Sequence, residues 1–149
     1  MGSLIISSLQ NKDGFKTDIK TADHSLICDE PISSGGKNLG PDPVGMALGG
    51  LGACTAMTLK MYYHHKKIEW TQIDVHIRTE VKRVSEDELS EEEKPFLKRG
   101  RIRYIYKDIH IASNMDDQAF ERAKDIASKC PVSLMMDRNA VMITTLLRA

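Results

Sequence analysis

The clearest alternation of apolar and polar residues runs from Ile68 to Val84. Ile73, Val75, Ile77, Thr79 and Val81 recur at every second position, with Asp74, His76, Arg78, Glu80 and Lys82 between them. Period two with one polar face predicts an antiparallel strand covered on one side only. His76 falls on the polar face, where solvation is expected. From Arg101 to Ala112 the alternation resumes through Ile102, Tyr104 and Tyr106, with a change of phase towards Ile109 and Ile111. The two runs are expected to pair as a long hairpin (68–112). Between them, Ser85 to Pro95 carries Glu86, Asp87, Glu88, Glu91, Glu92 and Glu93, which predicts an exposed excursion with a helical turn or two.

A different pattern occupies residues 43–66. Val44 to Leu59 is an uncharged run of sixteen positions. Asp42 can cap a helix there, Pro43 sits where a missing N–H costs nothing, and Lys60, His64, His65 and Lys66 place positive charge at its end. Gly45, Gly49, Gly50 and Gly52 would each weaken an exposed helix by about 1 kcal/mol. Burial on all sides would offset that cost, with the bare glycine face admitting a close neighbour and Met46, Leu48, Leu51, Met57, Leu59 and Met61 supplying the packing.

On the N-terminal side, Leu4–Leu9, Phe15–Ile19 and His24–Asp29 read as short strands. Asn11-Lys12-Asp13-Gly14 reads as a hairpin turn, so residues 1–30 are expected to form an antiparallel meander. Cys28 on the third strand is expected to be buried and inert. The Pro31–Pro43 loop lacks the Gly-Lys-Ser/Thr ending of a phosphate loop, so its expected work is to present the start of the helix. On the C-terminal side (115–149), Met115 is expected to open a second helix, capped by Ser113 or Asn114 and striped by Ala119, Phe120, Ala123, Ile126 and Ala127. Pro131 can start a short helix through Met136, with Cys130 at its N-cap, and Ala140–Leu147 is expected to be a final strand. The order predicts an α+β fold, antiparallel sheets around a buried central helix, in a single domain over residues 1–149.

Composition narrows the function classes. Lys plus Arg and Asp plus Glu both total 21, so the formal net charge is zero. Nucleic acid and acidic membranes are therefore not expected as partners. The Lys98–Arg103 cluster reads as a strand edge kept soluble by charge. The uncharged run is shorter than the roughly 18–20 apolar residues of a bilayer span. No secretory leader is visible, Met1-Gly2-Ser3 is native or a cloning remnant, and Gly2 without Ser or Thr at position 6 does not fit myristoylation. Three cysteines suggest free thiols in the cytoplasm.

Those thiols are the candidate chemistry. Cys130, ahead of a helix, would have its thiolate stabilised by the following backbone N–H groups, whereas Cys54 lies mid-helix. Local physics therefore makes Cys130 the more acidic, and Cys54 needs help from elsewhere in the fold. A buried structural pair is the alternative. The cysteines and five histidines show no close ligand spacing, so neither metal nor bound cofactor is expected.

Gly40-Pro41-x-Pro43 leading to Leu51-Gly52-Ala53-Cys54-Thr55-Ala56-Met57-Thr58-Leu59, with Lys129-Cys130-Pro131-Val132-Ser133 further on, resembles the osmotically inducible protein C / organic hydroperoxide resistance family. The resemblance implies an intertwined homodimer with active sites at the subunit interface, and a thiol peroxidase acting on organic hydroperoxides. Cys54 would be the peroxidatic thiolate and Cys130 the resolving thiol, with a lipoyl-type or other dithiol as external reductant. The family's activating arginine and glutamate are not matched, because no arginine precedes Arg78 and the glutamate position falls near Val44 or Gly45. Lys37, Asp42, Arg138 or an arginine of the 99–103 cluster are the candidate substitutes. That departure motivates the alternative of a small-molecule-binding or oxidant-sensing relative without efficient turnover.

Overall fold

The computed structural model describes residues 4–10, 12, 14–137 and 140–147. Met1-Gly2-Ser3 and Arg138 lie outside the described residues, as do Asn11 and Asp13 of the expected hairpin turn. The chain forms two compact units, one up to Gly50 and one from Leu51 onward.

In the first unit, strands β1 (Ile6–Leu9), β2 (Thr17–Lys20) and β3 (Ser25–Cys28) form an antiparallel sheet in the order β1-β2-β3. The register pairs Ser7 with Ile19 and Thr17 with Cys28. The meander is as the sequence predicts, with each strand shorter by one or more residues. Beyond β3 the loop is organised by a buried carboxylate. Asp29 accepts hydrogen bonds from the backbone N–H groups of Glu30, Lys37 and Leu39 at 2.9, 3.0 and 3.2 Å. Burial alone would raise its pKa, but the three N–H donors outweigh it and hold the carboxyl below the usual range. Two glycines let the loop pack closely: a Cβ would fall 1.8 Å from the Glu30 carbonyl oxygen at Gly36, and 2.2 Å from that of Ile27 in β3 at Gly40. The loop does present the helix. Asp42 Oδ1 accepts from the N–H groups of Val44 and Gly45, both at 3.0 Å.

Helix α1 (Pro43–Lys66) starts in this unit, and most of its length belongs to the second. Strands β4 (Trp70–Arg83) and β5 (Arg101–Ser113) form the long antiparallel hairpin, with Ile73, Val75 and Ile77 opposite Ile111, Ile109 and Lys107. The acidic excursion contains two 3-10 turns, Glu86–Glu88 and Lys94–Phe96, the first closed by a capping box between Ser85 and Glu88. Helix α2 spans Asp117–Ser128 and α3 spans Pro131–Met136. The cap of α2 is Asp116, not Ser113 or Asn114: its carboxylate accepts from the Ala119 N–H at 2.8 Å. The helix therefore starts two residues later than the sequence pattern suggests.

The core of the second unit joins Leu59 and Tyr63 of α1 to Ala123 and Ala127 of α2, with Ile73, Ile109 and Ile111 of the hairpin packed against them. α1 packs on β4 at Gly52, where a Cβ would lie at ordinary contact distance, 3.5 Å, from the Ile77 side chain. Two expectations need correction. Burial of α1 is one-sided: Leu51, Thr55, Leu59 and Tyr63, spaced by four, are buried, whereas Met57 and Met61 are 64% and 73% exposed. Its 24 residues also make it long and apolar enough to span a bilayer, a test that core helices of globular proteins pass as well. Second, Ala140–Leu147 is not a strand. A strand needs a partner for its backbone groups, and here Val141, Met142, Ile143, Leu146 and Leu147 stay 82–95% exposed.

Within the second unit the Tyr63 side chain is fully buried, and its hydroxyl is the one buried side-chain polar atom among the described residues without a hydrogen-bond partner. Burial, then the neighbouring Tyr62, pushes its pKa up to about 12. An unpartnered buried hydroxyl costs desolvation without return. Tyr63→Phe is therefore expected to leave the denaturation midpoint unchanged or raise it, measured by urea titration; a clear loss of stability would show that the hydroxyl is satisfied in solution.

Candidate functional site

The site is built where α1, β5, α2 and α3 meet within the second unit. After α2 ends at Ser128 the chain turns through Lys129, and Cys130 takes an extended conformation as the N-cap of α3, with Pro131 at the position that needs no N–H. The Cys130 sulfur accepts the Ser133 N–H at 3.3 Å and lies 3.1 Å from the Ser133 hydroxyl. From α1, the Thr55 hydroxyl lies 3.5 Å from the same sulfur. Thr55 belongs to the buried stripe of α1, and its neighbour Cys54 is half-buried, whereas Cys130 is 0% exposed.

Burial by itself would raise the Cys130 pKa. Hydrogen bonding with the Ser133 hydroxyl, the Thr55 hydroxyl, the Ser133 N–H and the Cys54 side chain outweighs it, lowering the value from 9.0 to about 7. The backbone N–H expected to favour a thiolate at the start of α3 is therefore present at Cys130. Cys54 lies near enough to Cys130 to favour its thiolate. Two thiols far apart in the chain thus meet at one place.

Lys107 of β5 completes the cluster. Its ammonium donates to the Ala127 carbonyl at 2.8 Å, to Ser133 Oγ at 3.0 Å and to Thr55 Oγ1 at 3.4 Å. Burial pulls its pKa below the ordinary lysine value, and the sulfurs of Cys130 and Cys54 push it partly back. A cleft of about 600 Å³ opens beside Lys107 and Ser133, walled by Leu51, Phe96, Ile102, Ile105 and Met136, with Arg103 at its lining. Such a mostly apolar space with few polar groups suits a small organic molecule.

Cys28 stands apart in the first unit. It is buried, its thiol donates to the Pro41 carbonyl at 3.1 Å, and burial followed by Asp42, Glu30 and Asp29 raises its pKa. That agrees with an inert thiol. Of the candidate substitutes for the family's arginine and glutamate, Asp42 is occupied as the α1 cap and Arg103 lines the cleft. Lys37 offers its backbone N–H to Asp29, and Arg138 is outside the described residues. The cation actually at the thiols, Lys107, was not among them. Its signal in the sequence was a lysine at an apolar position, between Ile105 and Ile109 on the inner face of β5. The phase change expected near there is the two faces of one continuous strand: Ile102, Tyr104 and Tyr106 point one way, Ile105, Lys107, Ile109 and Ile111 the other. No group of three or more His, Cys, Asp or Glu able to hold a metal occurs among the described residues.

Hairpin, glycine-bearing helix and paired thiols define an α+β protein with a dithiol site. Comparison with known proteins makes that class specific. The family described as OsmC-like protein matches residues 35–145, and the chain belongs to it. Solved structures share the fold. An OsmC-like protein from Mycoplasma pneumoniae is 15% identical, with TM-score 0.65 and coverage of 93% of this chain and 89% of that one. An organic hydroperoxide resistance protein OsmC from Legionella pneumophila is 15% identical, with TM-score 0.63 over 93% and 91%. The organic hydroperoxide resistance protein OhrB of Bacillus subtilis is 15% identical, with TM-score 0.56 over 93% and 93%. No curated protein matches the chain.

The dithiol site has a direct optical signature. Ultraviolet thiolate absorbance is expected to rise in a step centred near pH 7, absent in Cys130→Ser and retained in Cys28→Ser. The same shift fixes the sign of its contribution to stability. Because the folded value lies below 9.0, that contribution is fully present above pH 9 and lost as pH falls through about 7.

Proposed function

We propose that the protein is a thiol peroxidase that reduces organic hydroperoxides to alcohols. The observation that carries this reading is the meeting of Cys54 and Cys130 beside an apolar cleft. Membership of a family whose structural neighbours bear the name organic hydroperoxide resistance protein supports the general role.

In the proposed reaction the Cys54 thiolate attacks the distal peroxide oxygen. The O–O bond breaks, the alkoxide leaves and takes a proton as the alcohol, and Cys54 becomes a sulfenic acid. The Cys130 thiolate then attacks the Cys54 sulfur, forming the Cys54–Cys130 disulfide as hydroxide leaves and is protonated to water. An external dithiol reopens the disulfide by exchange, accepting the oxidation itself. Half-exposure of Cys54 gives it access to oxidant, and full burial of Cys130 keeps the resolving thiolate from competing for it. Free thiols of this kind fit the reducing conditions of the cytoplasm.

The fate of cumene or tert-butyl hydroperoxide with a dithiol present tests the proposal. Turnover is expected, with Cys54→Ser and Cys130→Ser reduced by at least about 100-fold, on the scale of losing an activated nucleophile or its partner. Faster reaction with the organic peroxides than with hydrogen peroxide is expected from the apolar cleft. A second reading, binding of a small apolar ligand or oxidant sensing, is favoured by the size of that cleft and by Val44 and Gly45 at the family's glutamate position. Saturable ligand binding that persists in Cys54→Ser, with no turnover in the reduced wild type, would decide for it.

The partner proposed for the chain is a second copy of itself. Val141, Met142, Ile143, Leu146 and Leu147 are exposed, as are Met57 and Met61 of α1. Exposed apolar side chains in this number call for a partner. Sedimentation equilibrium is expected to give twice the 16.7 kDa chain mass, and deletion of residues 140–149 is expected to shift the mass towards one copy; a monomeric wild type would reject the homodimer.

A further inference from the structure

An ammonium carries three N–H donors and no acceptor. At Lys107 all three have partners, namely the Ala127 carbonyl, Ser133 Oγ and Thr55 Oγ1. Both hydroxyl oxygens therefore accept a hydrogen bond from the lysine and must aim their own protons elsewhere. Thr55 has a carbonyl within reach, the Leu51 oxygen at 2.9 Å, closer than the Cys130 sulfur at 3.5 Å. Ser133 has the Cys130 sulfur at 3.1 Å. With Lys107 charged, the Cys130 sulfur is the acceptor within reach of the Ser133 hydroxyl proton. Its second donor, the Ser133 N–H at 3.3 Å, leaves little room for a thiol proton on that side.

We propose that Lys107 is a positioning residue that acts through Ser133: by donating to Ser133 Oγ it fixes the serine hydroxyl as a donor to Cys130 and so favours the Cys130 thiolate. The positive charge on one side of Ser133 also polarises its O–H, strengthening the bond to an anionic sulfur. Among the described residues, the titratable groups that face Cys130 from the packed elements are Cys54 on α1 and Lys107 on β5. Lys107 thus supplies the positive charge that the arginine-free N-terminal region does not. In this arrangement the assisted thiol is Cys130, which gives it a defined task in the proposed redox cycle. A stabilised thiolate attacks a sulfenic acid readily and later leaves readily when the disulfide is reduced.

The inference rests on reading Cys54 and Cys130 as a working pair, yet its test reads ionisation and not turnover. In a Cys54→Ser background the Cys130 thiolate titration is followed by ultraviolet absorbance, with folding checked by circular dichroism. Adding Lys107→Met is expected to raise the midpoint by about one pH unit or more, Ser133→Ala likewise, and both together little beyond either. Lys107→Arg, which keeps the charge, is expected to restore most of the shift. An unmoved midpoint in folded Lys107→Met overturns the proposal. So does full additivity of the two substitutions, which would mean that the lysine acts through space and not through Ser133. Should Lys107→Met fail to fold, Ser133→Ala alone decides, because it deletes a single oxygen: an unmoved midpoint there removes the relay. Shifted midpoints without peroxide turnover would reject the peroxidase reading and leave this one standing.

Discussion

One ammonium holds four elements together. Lys107 reaches from β5 to Thr55 on α1, to the Ala127 carbonyl near the end of α2, and to Ser133 on α3. A buried charge is costly unless its hydrogen bonds are all made. Here the number of donors matches the number of acceptors, and those acceptors sit where α1, α2 and α3 approach the hairpin. The lysine position thus constrains packing and chemistry at once. If α3 shifted relative to β5, Ser133 would lose the hydrogen bond from Lys107.

The two thiols are unequal because their backbones are unequal. Cys130 is placed by a helix start, where unsatisfied N–H groups point at the cap. Cys54 sits within a helix whose N–H groups are already used, so any anion it carries must be stabilised by side chains. The asymmetry follows from chain geometry before any partner is considered. In the proposed cycle it separates the accessible thiol, which meets the oxidant, from the protected one, which closes the disulfide.

Much of this was legible in the sequence, for identifiable reasons. The hairpin was readable because Ile73 to Val81 alternate without interruption, and α1 because Asp42-Pro43 and the final His-His-Lys mark both ends. The special position of Cys130 was readable from Pro131 alone. What was not legible depended on distance in the chain. Lys107 is an ordinary lysine until α2 and α3 fold over it, and nothing near it in sequence announces Ala127 or Ser133. The misplaced cap of α2 has a local cause, since Ser113, Asn114, Asp116 and Asp117 all suit the position and only the geometry selects among them. The Ala140–Leu147 segment has the composition of a strand but no neighbour to pair with among the described residues, so propensity alone could not make it one.

The burial of Cys28 bears on the fidelity of oxidation. A chain with three thiols can in principle cross-link in more than one way, and wrong isomers are dead ends that must be unscrambled. Exchange proceeds through the thiolate. Cys28 is kept protonated by its apolar surroundings and by nearby carboxylates, with its hydrogen directed at the Pro41 carbonyl. It is therefore a poor entrant in any shuffling reaction, which in the proposed cycle leaves the Cys54–Cys130 isomer as the favoured product.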